Sequence, residues 1–534
     1  MIVSQIPFEQ IHFFSSLISD YVLEKEELRS FYNHFPNISN FKKQIEEKRN
    51  SFADEARIRL VQSLKEQYSE IKTSPKVLEN IELLSQKNTF TITTGHQLSL
   101  FTGHLYFVYK IISTINTAKI LSEKYPDFKF VPIYWMATED HDFEEINHFH
   151  LQNKSLYWNS SEKGMTGAFK TNSLDSVFDV FKKSIGLGKN ADFLIDLFQK
   201  SYLEHNNLAD ATRFLVNALF EQYGVVIVDG NHRELKKSFI PYIKNDLLKN
   251  IAYQEVTKTI SEIQDIDKTY PVQVNPREIN LFYLTDNGRN RIVYSEKKGF
   301  EIHQTDISFS KSEILEELEK YPERFSPNVI MRPLYQEVIL PNLAYIGGGG
   351  EIAYWLELKR FFEAEKVPFP MLMLRNSALL ISENQHNKIK KLNISVTDLF
   401  LKTDDLKNKR VKELSDFPID FTQQKNALKE QFSDLYLIAE KTDASFKNAV
   451  KAQEVKQLKG LENLEKRLLK AQKRKFADEL QRILLLKSEL FPNNSLQERY
   501  CNFSDFYIQQ GTDFIPNLVE NFNPFEFEFS VIKY

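Results

Sequence analysis

The segment from Thr91 to Asn147 constrains the fold more than any other, because two short apolar runs flank an amphipathic stretch. The first run, Thr91 to Thr94, is rich in β-branched residues, and the second, Phe130 to Met136, is short enough to be a buried strand. Between them, apolar residues recur at helical spacing from Leu105 to Leu121. Strand, helix and strand make a βαβ unit, which in nearly all proteins is right-handed and belongs to a parallel sheet. The segment therefore predicts a parallel α/β core.

Polar residues follow both predicted strands. Gly95, His96 and Gln97 come after the first strand, and Glu139-Asp-His-Asp142 comes after the second. In a Rossmann-like sheet, ligands bind outside the carboxyl ends of the strands. We therefore predict a site at this edge of the sheet, and its candidate catalytic residues are His96, Gln97, Asp140, His141 and Asp142.

The acidic cluster has two interpretations. On an extended strand end, Asp140 and Asp142 would point one way, and Glu139 and His141 the other. A neighbouring carboxylate would raise the histidine pKa, and the aspartates could hold an amine or a metal ion. Alternatively, the acids complement the dipole at a helix N-terminus. Four polar groups in a row after a buried strand favour the functional interpretation.

Histidines downstream of this cluster raise the question of a metal site. Asp140, His141, His148 and His150 could in principle ligate a metal ion. Their spacing matches no strong zinc signature, and alternating histidines on a strand usually face water or a hydrogen-bond partner. No metal site is assigned.

Several segments are candidates for anion binding. Gly95 and His104 flank the start of the predicted helix, where free amides suit an anion. The four glycines Gly347 to Gly350 precede another helix and would let backbone amides approach a phosphate or carboxylate. A helix-capping surface residue, a flexible turn and an ordinary capped helix are the alternatives. The candidate cofactor-binding residues are Gly95, His104, Gly347, Gly348, Gly349, Gly350, Arg375, Asn376, Ser377, Gln497 and Arg499.

Further strands are predicted along the chain. Tyr223 to Val228 and Met371 to Leu374 read as central strands, and Gln336 to Ile346 contains strand-like pieces. Asp286-Asn287-Gly288 is a strong hairpin signal within a small antiparallel insertion. The predicted strands of this insertion are Pro271 to Val274, Leu281 to Leu284 and Arg291 to Tyr294. Two more strands are predicted outside it, at Leu151 to Asn159 and at the alternating segment Phe525 to Phe529.

The stretch from about Asp420 to Lys487 contains almost no glycine or proline, and two long helices fit it. Apolar residues follow heptad-like spacing, and the phase slips before Phe476, as in a stutter. We predict an antiparallel coiled-coil hairpin. It is the candidate dimer element, because a projecting helical pair needs another surface to bury.

These patterns divide the chain into four regions. The predicted domains are N-terminal helices packed on the core (1–88), a Rossmann-like core (89–385) with insertions at about 151–222 and 250–325, a coiled-coil helical domain (386–490) and a C-terminal return to the core (491–534).

Composition narrows the function classes. The formal net charge of −4, from 69 basic and 73 acidic residues, gives no general attraction to nucleic acid or membranes. No apolar run reaches the ~18 residues needed to span a bilayer, and the N-terminus lacks signal-peptide features. We expect a cytoplasmic protein. With Cys501 as the sole cysteine, an intramolecular disulfide and an all-cysteine zinc site are excluded.

Three segments carry distinctive motifs: Thr93 to Gln97, Leu105 to Ile112 and Trp135 to His148. These motifs resemble those of the BshC family, the cysteine-adding enzymes of bacillithiol biosynthesis. His96 stands where the family pattern has a second glutamine, and His104 where it has proline. The resemblance runs nearly end to end, and the matching segments are Asp20-Tyr21, Phe31-Tyr32, Thr93 to Gln97, Leu105 to Ile112, Trp135 to His148, Gly349 to Trp355, Arg375 to Ser377, Leu496 to Arg499 and Asn523 to Phe525.

The resemblance implies a Rossmann-type core with inserted connecting segments and a C-terminal coiled coil, often dimeric. It implies a ligase that joins L-cysteine to the amine of glucosaminyl-malate, with an ATP or ADP pocket near the coiled coil. Mg²⁺ could accompany the nucleotide. Amide formation is unfavourable in water, so the reaction needs carboxylate activation, a base for the amine and carboxylates that hold ammonium groups.

The residues alone leave two other classes of function as alternatives. A metal-dependent hydrolase or thiol transferase would use Asp140, His141, His148 and His150. A coiled-coil scaffold with a degenerate enzyme domain should have lost its polar strand ends, which are intact in this sequence.

Overall fold

The computed structural model describes residues 1–11, 13–285 and 288–534. The chain divides into two compact units, one formed by residues 1–380 and 496–534 and the other by residues 381–495. Among the described residues, no helix combines the length and apolar character that crossing a membrane requires.

The strands are β1 (Ile2–Pro7), β2 (Thr89–His96), β3 (Lys129–Met136), β4 (His148–Leu151), β5 (Lys154–Tyr157), β6 (Val226–Asp229), β7 (Leu281–Thr285), β8 (Gly288–Ser295), β9 (Gly299–Ile302), β10 (Ser308–Phe309), β11 (Phe325–Pro327), β12 (Asn342–Gly347), β13 (Met371–Leu374), β14 (Ser377–Ile381) and β15 (Glu528–Lys533). The α-helices are α1 (Ser16–Val22), α2 (Phe41–Ser51), α3 (Asp54–Gln67), α4 (Pro75–Leu83), α5 (Tyr106–Lys124), α6 (Phe143–Ile146), α7 (Asp175–Ser184), α8 (Lys189–Tyr202), α9 (Leu208–Phe220), α10 (Arg233–Lys237), α11 (Ile240–Lys249), α12 (Ile251–Ile266), α13 (Lys311–Lys320), α14 (Met331–Ile339), α15 (Gly349–Leu356), α16 (Lys359–Ala364), α17 (Glu383–Lys391), α18 (Thr403–Leu414), α19 (Thr422–Ala439), α20 (Ala444–Lys475), α21 (Ala477–Leu490), α22 (Ser504–Gln510) and α23 (Phe514–Asn521).

A five-stranded sheet in the order β13-β12-β2-β3-β6 forms the core, and all its strand pairs are parallel. This confirms the predicted Rossmann-like α/β core. β3 and β13 are buried on both faces, which explains why their sequences are nearly continuous apolar runs. The chain places β3 and β6 on one side of β2, and later β12 and β13 on the other. The strand order therefore reverses between β2 and β12, which is where such sheets open a crevice.

Some predicted boundaries shift in the core. The stretch from Gln336 to Ile346 is helical up to Ile339, and only then does β12 begin. The strand predicted at Tyr223 starts at Val226, after a 3₁₀ turn. The single strand expected from Leu151 to Asn159 is instead the β4–β5 hairpin.

An antiparallel sheet in the order β10-β9-β8-β7-β11 forms the predicted insertion. Phe282 pairs with Arg291, as the hairpin prediction requires. The turn predicted at Asp286 and Asn287 lies outside the described residues. The strand predicted at Pro271 to Val274 is wrong: this segment is irregular, and its amides bind a side chain, as described below.

The chain ends in β15, which pairs antiparallel with β1. The alternation from Phe525 to Phe529 predicts an earlier start than the observed one at Glu528. The Phe525 and Phe527 rings instead pack against Phe41 and Phe35 of the N-terminal region.

The second unit contains the predicted antiparallel coiled-coil hairpin. Lys425 pairs with Glu465 at 2.5 Å, and the Tyr436 hydroxyl donates to Glu454 at 2.9 Å, so partners on α20 descend as those on α19 ascend. The helix predicted to continue through a stutter ends at Lys475, and the backbone at Phe476 leaves helical geometry before α21 begins. The phase slip in the sequence thus marks a break between two helices.

Candidate active site

A cavity of about 810 Å³ lies at the carboxyl ends of β2, β3 and β12. Segments that follow these three strands, and the antiparallel insertion, contribute its walls. The sequence-predicted residues that line it are Gly95, His96, Gln97, Asp140, His141, Gly348, Gly350, Arg375 and Arg499.

Other sequence-predicted residues point elsewhere. Gly347 and Gly349 contact interior side chains, and the Asn376 side chain donates to Asn523 O at 2.8 Å. The Gln497 side-chain amide makes two hydrogen bonds to the backbone of Leu380: its Oε1 accepts from Leu380 N, and its Nε2 donates to Leu380 O. The predicted residues that do not line the cavity are His104, Asp142, Gly347, Gly349, Asn376, Ser377 and Gln497.

Lys110 connects the two sides of the sheet reversal. Its Nζ donates to Gly95 O at the end of β2 and lies 2.7 Å from Glu351 Oε2 in the first turn of α15. Glu351 also accepts hydrogen bonds from Gly348 N and the Tyr345 hydroxyl. Burial alone would raise the pKa of Glu351, but Lys110 and these donors lower it to about 2. This ion pair holds the glycine loop against β2.

The sequence patterns did not single out Lys110 as a site residue. One feature of the sequence could have indicated it: Lys110 lies between Val108 and Ile111, in a part of the helix where the neighbouring residues are buried. A cation in such a position requires a partner, because an unpaired buried charge is strongly unfavourable.

Gln97 and Asp140 join the ends of β2 and β3. Gln97 Nε2 donates to Asp140 Oδ2 at 2.6 Å and to Glu145 Oε2 at 2.7 Å. The backbone N–H of His141 donates to Asp140 Oδ1 at 2.8 Å. Burial alone would raise the pKa of Asp140, but the hydrogen bonds from Gln97 Nε2 and the His141 backbone N–H, together with the charge of Arg289, lower the pKa well below its ordinary range. Asp140 is therefore held ionised.

The expected alternation of Asp140 and His141 along an extended strand end is wrong. β3 ends at Met136, and Asp140 N donates to Ala137 O in a turn. Because the backbone turns, both side chains face the cavity, whereas Asp142 precedes α6 without a side-chain capping bond.

Glu139 also lines the cavity and pairs with a lysine that the sequence patterns did not indicate. Lys236 Nζ on α10 lies 2.5 Å from Glu139 Oε1 and donates to Phe325 O at 2.7 Å. The Lys236 side chain is fully buried, and its burial lowers its pKa, while Glu139 opposes that shift. The pair anchors the acidic turn to α10.

His96 is half-buried among aromatic rings. Its ring centroid is 5.0 Å from that of Phe107 and 5.5 Å from that of Tyr106. Burial, with the nearby charge of Lys110, lowers the pKa of His96 to about 3. His96 is therefore neutral at physiological pH.

The irregular segment 270–280 forms one wall of the cavity. Buried Glu357 accepts hydrogen bonds from the amides of Gln273 and Val274, at 2.8 and 3.2 Å. Buried Asp246 accepts from Asn280 N at 2.6 Å. Two buried carboxylates therefore hold this wall in place. Because the backbone amides of Gln273 and Val274 donate to Glu357, they are not available to pair with a neighbouring strand.

Arg375 lies at the cavity margin in a buried ion pair. Its Nη2 is 2.8 Å from Glu498 Oε1, and the two side chains are 3% and 0% exposed. Within the described part of the chain, the buried Nε of Arg375 has no hydrogen-bond partner. A methyl-sized group on Gly348 would lie 3.7 Å from that Nε. The free N–H beside a glycine backbone suits an oxygen of a phosphate or carboxylate.

Of the histidines considered for a metal site, His141 lines this cavity, whereas His148 and His150 do not. His148 and His150 lie on β4, and the His150 ring stacks on that of His104 at 5.9 Å between centroids. In residues 1–11, 13–285 and 288–534, no group of three or more His, Cys, Asp or Glu side chains is arranged to hold a metal ion.

Basic side chains line the cavity together with the acidic turn. Arg289 and Arg291 come from β8, and Arg332 comes from α14, where it donates to the Tyr354 hydroxyl at 2.9 Å. The basic lining residues are Lys110, Arg277, Arg289, Arg291, Arg332, Arg375 and Arg499. The architecture defines a Rossmann-like α/β protein with a polar cleft at the topological switch point of its sheet.

Family comparison identifies the group to which this α/β protein belongs. A family model described as "Bacillithiol biosynthesis BshC, N-terminal Rossmann-like domain" matches residues 1–376. One described as "Bacillithiol biosynthesis BshC, C-terminal coiled-coil domain" matches residues 378–534. The chain belongs to the BshC family.

Curated relatives match along the full chain. One from Flavobacterium johnsoniae is 56% identical over 527 residues, covering 99% of both chains. One from Cytophaga hutchinsonii is 37% identical, covering 100% of this chain and 99% of the relative. One from Bacillus cereus is 28% identical, covering 97% and 98%. Each carries the name "Putative cysteine ligase BshC".

Proposed function

We propose that the protein is a ligase of bacillithiol biosynthesis that joins the carboxyl carbon of L-cysteine to the amine of glucosaminyl-malate. An adenine nucleotide is the proposed activating co-substrate. The observation that carries the proposal is the placement of ionised Asp140 and several guanidinium groups in one cavity at the sheet reversal. The names of the relatives support the cysteine ligase class.

The charges of the cavity suit these substrates. Glucosaminyl-malate carries an amine and malyl carboxylates, and cysteine carries an ammonium group and a carboxylate. Asp140, which stays ionised, can hold an ammonium group, and Arg289, Arg291 and Arg332 can hold carboxylates. The strongly lowered pKa of Asp140 makes this carboxylate a better ammonium ligand than a proton acceptor.

The proposed reaction proceeds in two steps. A carboxylate oxygen of cysteine attacks a phosphorus atom of the nucleotide, and ADP or diphosphate leaves. The uncharged amine nitrogen then attacks the activated carboxyl carbon; the C–N bond forms, the C–O bond to phosphate or AMP breaks, and the amine proton passes to a base.

The cavity offers a place for a phosphate group. The free Arg375 Nε–H lies beside Gly348 at the first turn of α15, whose amide dipoles favour an anion. Gly350 in the same turn also lines the cavity, while the Gly348 N–H is bound to Glu351. Arg499 also lines the cavity. These residues are the proposed phosphate ligands of the nucleotide.

The decisive experiment incubates purified protein with cysteine, glucosaminyl-malate and ATP while thiol product and nucleotide are both followed. Asp140→Asn should reduce product formation by at least ~100-fold with unchanged thermal unfolding. Glu144→Gln, an exposed neighbour outside the cavity, is the matched control. Product without nucleotide cleavage would disprove the activation step, and absence of product would disprove the function. Metal analysis of protein purified without chelators tests the metal-dependent alternative.

A further inference from the structure

Arg289 approaches His141 from the inserted antiparallel sheet. Its Nη1 lies 3.0 Å from His141 Nδ1. The guanidinium is held by Ser326 Oγ at 3.0 Å and Pro327 O at 2.8 Å, and its Cζ lies 4.0 Å from the ring centroid of Phe282. These contacts fix the guanidinium in place beside the imidazole.

The direction of this hydrogen bond follows from chemistry. A guanidinium has donors and no acceptor, so His141 Nδ1 must accept with its lone pair. Asp140 Oδ1 lies 3.7 Å from the same nitrogen, beyond hydrogen-bond distance. The imidazole proton must therefore be on Nε2, which makes no hydrogen bond to the described residues of the chain.

We infer that Arg289 is a positioning residue that holds His141 as the neutral Nε2–H tautomer, so that His141 presents a hydrogen-bond donor to the cavity. In this state Nε2 has no free lone pair, and His141 does not serve as the base. The catalytic meaning rests on the proposed function: an N–H donor would stabilise negative charge on the carboxyl oxygen while the amine attacks. No proton leaves His141 in that step.

His96 provides an internal contrast within the same cavity. Its Nδ1 lies 2.8 Å from Gln97 O, and a carbonyl oxygen only accepts hydrogen bonds. His96 therefore carries its proton on Nδ1 and has a free lone pair on Nε2. The two imidazoles are in opposite tautomers because one faces a donor and the other an acceptor.

Nitrogen NMR of the full-length protein, labelled with ring-¹⁵N histidine, tests the inference without substrate. The spectrum is recorded well above the ordinary histidine pKa of about 6.5, and His96 and His141 are assigned with His96→Gln and His141→Gln. We expect an unprotonated Nδ1 and a protonated Nε2 for His141, with the reverse for His96. A protonated His141 Nδ1, or an imidazolium, would overturn the inference.

Arg289→Met should release His141 into a mixture of both tautomers and leave the His96 signals unchanged. Arg277→Met removes another cavity guanidinium without touching His141, and should leave both histidine patterns unchanged. An identical His141 pattern in wild type and Arg289→Met would contradict the role of Arg289. If Arg289→Met does not fold, the wild-type spectrum still decides the tautomer.

Kinetics separate the donor role from a base role. His141→Gln retains an N–H donor, so its kcat should exceed that of His141→Ala by about tenfold or more, as expected for an oxyanion donor. Equal kcat values would contradict the donor role. If wild type forms no product, the proposed function fails, whereas the ring-nitrogen shifts still report the tautomer.

Discussion

Gln97 Nε2 lies 2.6 Å from Asp140 Oδ2 and links the ends of the neighbouring parallel strands β2 and β3. The same amide donates to Glu145, so one side chain separates two carboxylates. Gln97 therefore helps to keep Asp140 ionised and holds it in place at the cavity.

Replacing Gln97 tests this relationship. Gln97→Glu replaces a donor by a third carboxylate, and the repulsion should raise the pKa of Asp140. We expect product formation to fall by about 10- to 100-fold, with thermal unfolding close to wild type. Gln431→Glu, at an exposed position on α19, should keep full activity. Wild-type kinetics for Gln97→Glu would show that Asp140 does not need this donor.

The buried Arg375–Glu498 pair predicts a stability effect. Glu498→Gln leaves a buried guanidinium without its counter-charge and should lower the free energy of unfolding by about 3–5 kcal/mol. The measurement is urea unfolding at neutral pH. Glu319→Gln, which breaks the exposed pair with Lys244, should cost less than about 1 kcal/mol. Similar losses for both variants would argue against the special role of burial.

Two buried carboxylates predict how stability depends on pH. Burial raises the pKa of Glu357, and that of Asp246, to about 7, whereas an unfolded carboxyl titrates near 4. Because the folded-state pKa is raised, the stabilisation is complete below about pH 4 and is lost as pH rises towards 7. A tenfold difference in proton affinity between the folded and unfolded chains corresponds to about 1.4 kcal/mol of unfolding free energy.

Glu357→Gln should therefore flatten the decline in unfolding free energy between about pH 4 and 7. Its amide oxygen can still accept from the 273–274 backbone. The check is chemical denaturation at several pH values, with Glu316→Gln on exposed α13 as control. An unchanged pH slope in Glu357→Gln would refute the assignment.

The helical hairpin is predicted to form a homodimer. Large apolar side chains on α19 and α20 are exposed, among them Leu437 at 62%, Val455 at 57% and Leu464 at 52%. Leu435 and Ile438, which are 41% and 56% exposed, share one face of α19. Introducing lysine at both positions should weaken dimerisation by at least about tenfold, since it buries charge at an apolar contact. Sedimentation at micromolar concentration measures this. Gln457→Lys is the control, and a monomeric wild type would disprove the prediction.

Much of the core follows from local sequence patterns. The β-branched and apolar runs at β2, β3 and β13 and the 3.6-residue period of α5 predict the parallel sheet correctly, because fully buried strands need apolar residues on both faces. The strand at Pro271 to Val274 fails because a distant carboxylate, Glu357, takes its backbone amides. The strand propensity of a short segment contains no information about a hydrogen-bond partner that is distant in the sequence.

The residues of the candidate site also fall into two groups, those that the sequence could predict and those that it could not. Polar residues at or shortly after the ends of strands, such as His96 and Asp140, could be predicted because strand ends meet at one sheet edge. Arg289 could not, because 148 positions separate it from His141 and it enters from a different sheet. Lys236 is likewise 97 positions from Glu139.

By itself, the sequence determined the parallel core, the helical hairpin and the family, because hydrophobic periodicity and contiguous motifs are local properties of the chain. Only the tertiary structure decided that the sheet order reverses between β2 and β12, that Lys110 ties the two sides together, and that guanidinium groups face the acidic turn. Those relationships depend on contacts between residues that are far apart in the chain. Such contacts form only when folding brings the two ends of the intervening segments together.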